Sequence, residues 1–183
     1  IPKDAWVAIN ELHGLIERQS FASFDRSSRI RLLKQVISGS RLWHGCLMAS
    51  QARDLSWLFM RLGDRLEHAD MVSRLVDPRV TQMAPGASKR WSSYEAVGWQ
   101  NLLSALGGVE FYRHSARNRM LGSDVLDFVL RDENFPQSMT SALDKVGRLL
   151  RNLPHQRVPT DLIDGIVDGL NKLDLERLAP DQL

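Results

Sequence analysis

Residues 53–77 read RDLSWLFMRLGDRLEHADMVSRLVD, and this stretch decides the fold class. Leu55, Leu58, Leu62, Leu66 and Ala69 recur at intervals of three and four, the spacing of one helical face. Val76 continues the line, and Pro78, which lacks an N–H, is expected to stop the helix at Asp77. A second line, Trp57, Met60, Glu67, Met71 and Arg74, runs along another side. A helix apolar on two sides is packed on two sides. That packing would set Glu67 among large apolar side chains, where an ionised carboxylate is costly unless paired. Arg74, two turns on, or an arginine of another helix is the expected partner. The sharper alternative is a ligand or proton-transfer site, because perturbed carboxylates collect at such sites.

The same periodicity extends in both directions. Trp6, Ile9, Leu12 and Ile16 predict a helix over residues 3–19. Ile30, Leu33, Val36, Ile37, Trp43 and Leu47 predict a long second one, capped by Asp25. Residues 78–90 hold Pro85 and Gly86 without periodicity and read as the longest loop. Ser92 and Glu95 have capping-box spacing before Val97, Leu102, Leu103 and Leu106, and Gly107-Gly108 is expected to kink that helix before Phe111 and Tyr112. Val125–Leu130 fits helix or strand, and Asp124 with the helical neighbours favours helix. Asn134-Phe135-Pro136 reads as a helix start for the stripe Met139, Leu143, Val146, Leu149, Leu150 and Leu153. Thr160 is placed to cap a last helix carrying Ile163, Ile166, Val167, Leu170 and Leu173. No alternating strand pattern and no Asn-Gly hairpin occurs. The expected fold is all-α, a bundle of about seven to eight helices forming a single domain over residues 1–183.

Composition narrows the chemistry. The chain has 183 residues, enough to bury about 70% of the surface of the unfolded chain. Its lone cysteine, Cys46, has no partner for an internal disulfide and, beside Trp43, Leu47 and Met48, reads as a buried structural thiol. No run approaches the roughly 18 apolar residues of a membrane span, and the expected location is the cytoplasm. The formal net charge of +2 does not argue for nucleic acid. Arg31, Lys34 and Arg41 form a basic stripe, but no aromatic side chains interleave there to stack on bases. Asp161, Asp164, Asp168, Asp174 and Glu176 make the C-terminal stretch acidic.

His13, His44, His68, His114 and His155 show no metal-type spacing, so no metal is expected. Asp64 stands one turn before His68, where the two would form a surface pair. Gly107-Gly108 lacks a following Lys-Ser/Thr and cannot serve as a phosphate loop, so no cofactor is expected in this chain.

Three ordered segments carry a family resemblance. They are Trp57–Gly63 with Leu66–Asp70, Ser73-Arg74-Leu75 and Asp77; Trp99–Leu103 through Gly107 to Glu110, Tyr112 and Arg113; and Phe128–Asp132 with Phe135–Ser138. Together they resemble the alpha-E domain, a bacterial all-helical family named for a Glu-Arg pair. The match covers most of residues 5–153 and is to the later part of the family domain. Since the chain opens Ile1-Pro2-Lys3, it is expected to be the C-terminal part of a longer alpha-E protein. Glu67, Asp70, Arg74, Tyr112, Arg113, Asp132 and Ser138 match the family pattern. His68, Asp64 and Gln137 stand where the family has arginines.

What the resemblance implies is context. Alpha-E domains are fused to, or encoded beside, circularly permuted ATP-grasp ligases and transglutaminase-like proteins. An accessory role in ATP-dependent peptide or amide-bond formation follows, with ATP and Mg held by the ligase partner. The candidate surface for a partner or acceptor substrate is Glu67, His68, Asp70, Arg74, Tyr112, Arg113, Asp132 and Ser138. The competing expectations are a stand-alone amide hydrolase or transferase with Glu67 as general base, and a purely structural scaffold.

Overall fold

The computed structural model describes residues 1–18, 25–83, 95–115, 120–154 and 161–178. Among them the fold is all-α, with nine helices and no strand. They are α1 (Lys3–Glu17), α2 (Arg26–Ser50), α3 (Leu55–Met83), α4 (Glu95–Ala105), α5 (Val109–His114), α6 (Gly122–Arg131), α7 (Met139–Arg151), α8 (Asp161–Asn171) and α9 (Leu175–Leu178). The chain divides into two compact units, Ile1–Trp57 and Leu58–Leu183. No helix among the described residues is long and apolar enough to cross a membrane.

The first unit is the α1–α2 hairpin. Its seam is built from small residues: Ala5 and Ala8 are buried, and Gly39 of α2 faces Leu12, whose Cδ1 lies 3.1 Å from where a Cβ would stand. This close approach turns Trp6 and Ile16 outward, so they are exposed rather than part of the expected buried stripe. On α2 only Leu47 is buried, while Ile30, Leu33 and Ile37 are exposed. Asp25 caps α2 as expected, its Oδ1 accepting the Ser28 N–H at 2.8 Å. Cys46 is half-buried rather than buried, and its thiol is free.

The second unit has one core. Val72 and Val76 of α3 meet Trp99, Leu102 and Leu103 of α4, Tyr112 of α5, Val125, Leu126, Phe128 and Val129 of α6, and Phe135. Leu175 of α9 closes it. The short elements α5 and α9 have no counterpart in the periodicity, because six and four residues are too few to show a period. Residues 125–130 are helical, and α6 is buried on Val125, Leu126, Phe128, Val129 and Leu130.

Three boundaries differ from expectation, each for a local physical reason. Pro78 lies inside α3, which continues to Met83. A helical proline costs about 3 kcal/mol. Val76 is buried on one side of it and Val80 packs on the core beyond it, and side chains of this kind give about 1.5–3 kcal/mol each when fully buried.

Gly107-Gly108 ends α4 instead of kinking it. Gly107 adopts φ +65°, Gly108 N–H donates to Leu103 O at 2.7 Å and Gly107 N–H to Ser104 O at 3.1 Å, the paired bonds of a Schellman stop.

Asn134-Phe135-Pro136 is a turn, and α7 starts at Met139 with Ser138 as its cap. Asp132 Oδ1 accepts the N–H groups of Asn134 (2.9 Å) and Phe135 (3.0 Å), which satisfies them without a helix. The two remaining capping expectations, Ser92 and Thr160, fall outside the described residues.

Candidate functional site

α3 positions most of the residues singled out in the sequence. On a 3.6-residue helix, Arg61, Arg65, His68, Val72 and Val76 share one face, and Glu67, Asp70, Met71 and Arg74 share the opposite one. Val72 and Val76 are in the core, so the second set faces water. Of the stripe expected to be buried, Ala69 is buried but Leu55 and Leu66 are exposed, because burial follows Ala69, Val72 and Val76.

Glu67 is therefore exposed, not enclosed by apolar side chains. Nor does Arg74 pair with it. Arg74 Nε donates to Asp70 Oδ2 at 2.7 Å, a partner one turn away, where Glu67 is two. Asp70 also holds the chain locally, its carbonyl accepting the Ser73 hydroxyl at 2.7 Å. Arg74 borders a groove floored by Val76, Leu126, Leu130 and Met139 and closed by Leu170 and Leu173.

The expected Asp64–His68 pair is absent, because both groups have better partners. Asp64 Oδ2 accepts from Arg61 Nη1 at 2.9 Å and from Arg65 Nη2 at 2.6 Å and Nε at 3.0 Å. Guanidinium–carboxylate bonds are stronger than those of a neutral imidazole. His68 instead reaches the turn before α7, with Nε2 3.0 Å from Gln137 O. A carbonyl only accepts, so Nε2 carries the hydrogen.

Asp132 and Ser138 belong to that same turn. Ser138 is fully buried; its hydroxyl donates to Asp132 O at 2.6 Å and accepts the Ser141 N–H at 3.0 Å. Thr140 anchors the other side, donating to Leu130 O at 2.9 Å. These bonds orient the Pro136 and Gln137 carbonyls toward α3 and α7: Lys145 Nζ donates to Pro136 O at 3.1 Å. Burial and the charges of Arg65, Arg61 and Arg148 push the Lys145 ammonium below its usual value. None of Arg61, Arg65 and Lys145 was singled out in the sequence. The available signal was the spacing of Arg61, Arg65 and His68, which shares a helical face.

The remaining candidates lie apart from this turn. Tyr112 is a core side chain, its ring edge-on to Phe128 with centroids 5.3 Å apart. Arg113 is exposed and pairs with Glu110 at 3.0 Å. The basic residues Arg31, Lys34 and Arg41 are exposed on α2, and Arg31 Nη2 donates to Ser28 Oγ at 3.3 Å. Among the described residues no group of three or more His, Cys, Asp or Glu side chains is placed to hold a metal ion.

Taken with the fold, these features define an all-helical chain with a polar outward face on α3 and with His68 and Lys145 bonded to the carbonyls of the α6–α7 turn. The model of the Alpha-E family, described as a predicted alpha-helical domain with a conserved ER motif, matches residues 1–183. The chain belongs to the Alpha-E family. No curated protein and no solved structure matches it. The resemblance read from the sequence leads one to expect that pair at Glu67-His68. Literal Glu-Arg pairs also occur at Glu17-Arg18 and Glu176-Arg177. Of the positions where the resemblance leads one to expect arginines, Asp64 is one turn from His68, and His68 bonds the main chain of Gln137.

Proposed function

We propose that the chain is a helical accessory domain of an ATP-grasp-type peptide or amide ligase system, contributing protein–protein or acceptor-substrate binding. Family membership supports the context. The observation that carries the reading is the exposed stripe Glu67, Asp70, Met71 and Arg74 on α3, opposite the buried Val72 and Val76. Side chains that share an exposed face and take no part in the core are suited to contact another molecule. In this reading ATP and Mg are bound by the ligase, which is a separate protein or a fused domain. A transglutaminase-like protein is the second partner class, and the setting is the bacterial cytoplasm.

The alternative, an amide hydrolase or transferase with Glu67 as general base, loses its main support. Such a base gains strength from an enclosed, water-poor setting, and Glu67 is open to solvent. Two measurements separate the readings. Affinity capture of the native protein should recover an ATP-grasp ligase, and Glu67→Gln should impair coupled ligation while the ligase's own ATP binding persists. Turnover of small peptides by the isolated chain, without partner or ATP, would favour the hydrolase instead.

A further inference from the structure

Part of the acidic C-terminal stretch borders a cavity between α7 and α8. Asp164 and Asp168 of α8, Asp144 of α7 and Glu133 of the α6–α7 turn line a space of about 560 Å³, within the roughly 300–1,000 Å³ of small-molecule sites. Half-buried Ile163 and Val167 form its apolar wall. α8 is held on both sides of it. Ile163 Cγ2 lies 3.8 Å from where a Cβ on Gly147 would stand. Farther along, Arg131 donates from Nε to Leu170 O at 2.9 Å and from Nη2 to Leu173 O at 2.6 Å. The cleft is therefore built into the fold.

Its charge and its hydroxyl say what it takes. Arg148 is the only cation among the described lining residues, and it pairs with Asp144. Glu133, Asp164 and Asp168 have no side-chain partner among the described residues, so their carboxylates go uncompensated in a chain of formal net charge +2. Ser141 is only 8% exposed and lines the cavity, yet its hydroxyl bonds to no protein group. The neighbouring hydroxyls of Ser138 and Thr140 are both bonded. A buried hydroxyl left over at a cavity wall is available to a ligand. Among the described residues no three acidic side chains are placed to hold one metal ion. The negative charge is thus spread along the cleft and suits an extended cation, whose methylene groups can lie on the apolar wall.

We propose that this cleft binds a linear aliphatic polyamine. Its ammonium groups meet Glu133, Asp164 and Asp168, its chain runs along Ile163 and Val167, and one N–H donates to the Ser141 hydroxyl. The inference stands apart from the function proposed above: no residue of the cleft belongs to the α3 stripe, and its test involves no ligase.

The probe is spermidine, titrated calorimetrically into the full chain, with n-pentylamine and magnesium chloride as comparators at constant ionic strength. Spermidine should bind at least about tenfold more tightly than pentylamine, since each exposed ion pair adds only a few-fold. Asp164→Asn and Asp168→Asn together should weaken it about tenfold. Asp161→Asn, which removes a charge from α8 outside the cleft, should change it by less than about twofold, because salt screens a distant charge. Ser141→Ala should weaken spermidine about threefold with stability unchanged or raised, because the hydroxyl holds nothing in the fold and alanine favours helix. Absence of binding, equal binding of pentylamine, or a loss on Asp161→Asn as large as on the paired substitution overturns the proposal. So does a Ser141→Ala protein that keeps full affinity, or that loses it only by losing stability. Magnesium bound as tightly as spermidine also overturns it and makes the cleft a site for compact cations.

Discussion

Gly107 and Gly108 stand side by side, and the structure makes them intolerant of alanine for different reasons. Gly108 has φ −92° and ψ −4°, which any residue adopts, so the backbone alone would let alanine stabilise it by about 0.4–1 kcal/mol. The space does not permit this. An added Cβ would stand 2.8 Å from Phe135 Cζ and 3.4 Å from Phe128 Cε1. Carbon atoms rest at about 3.5–4.0 Å, so Phe135 must give way by most of an ångström. Its freedom is small, since it stacks on Phe128 at 4.6 Å and meets Phe111 at 5.6 Å. Overpacking of this kind costs about 1–3 kcal/mol, leaving Gly108→Ala a net loss of about 1–2 kcal/mol.

At Gly107 nothing lies within 4 Å of an added Cβ, and the cost is conformational: φ +65° is worth about 1–2 kcal/mol against alanine. Urea denaturation followed by circular dichroism measures both. The discriminating step is Phe135→Leu, which should partly rescue Gly108→Ala and leave the penalty of Gly107→Ala unchanged. A Gly108→Ala protein as stable as the parent would refute the steric account of the aromatic stack.

Other expectations follow from single contacts. Ser138→Ala strips a bond from each of Asp132 O and Ser141 N–H in a buried turn and should cost about 1–3 kcal/mol in the same denaturation assay, with Ser138→Thr recovering part of it. Hydrogen bonds from the Ser28 hydroxyl and N–H, then from the Ser27 hydroxyl, lower the Asp25 carboxyl from 3.8 to about 2. The folded-state value is the depressed one, so the cap's contribution is present above 3.8 and fades as pH falls toward about 2. A carboxyl-detected NMR titration should find that midpoint, and Asp25→Ala should abolish the matching loss of α2 helicity. His68→Ala should cost about 1 kcal/mol, and nitrogen-15 shifts of the parent imidazole should report hydrogen on Nε2 at neutral pH. Glu67→Gln should leave stability unchanged within about 0.5 kcal/mol, since the side chain is exposed.

Family, class and most helices were legible in the residues because helical periodicity is local. The stripe of α7 is an example: Leu143 and Val146 are buried as expected, and α6 is helical as its neighbours implied. Caps with a side chain of their own were legible too, as Asp25 shows. The misreadings concern which of several apolar faces wins. α3 offers two apolar lines, and Ala69, Val72 and Val76 are the residues that meet the core, which leaves Glu67 in water. On α1, Ala5 and Ala8 are the buried residues and Leu12 lies against Gly39, while the larger Trp6 points outward.

What the residues determined alone was helix content, the cap at Asp25, and membership of the Alpha-E family, since each depends on neighbours within a few positions or on ordered motifs. Tertiary structure decided the rest. Pro78 sits within α3 because Val76 and Val80 find the core on either side of it, something no local rule contains. His68 leaves Asp64 for Gln137 O, a partner 69 residues away, and Lys145 reaches Pro136 O in the same turn. Such pairings depend on which surfaces meet when the core closes, and spacing along the chain carries no information about that.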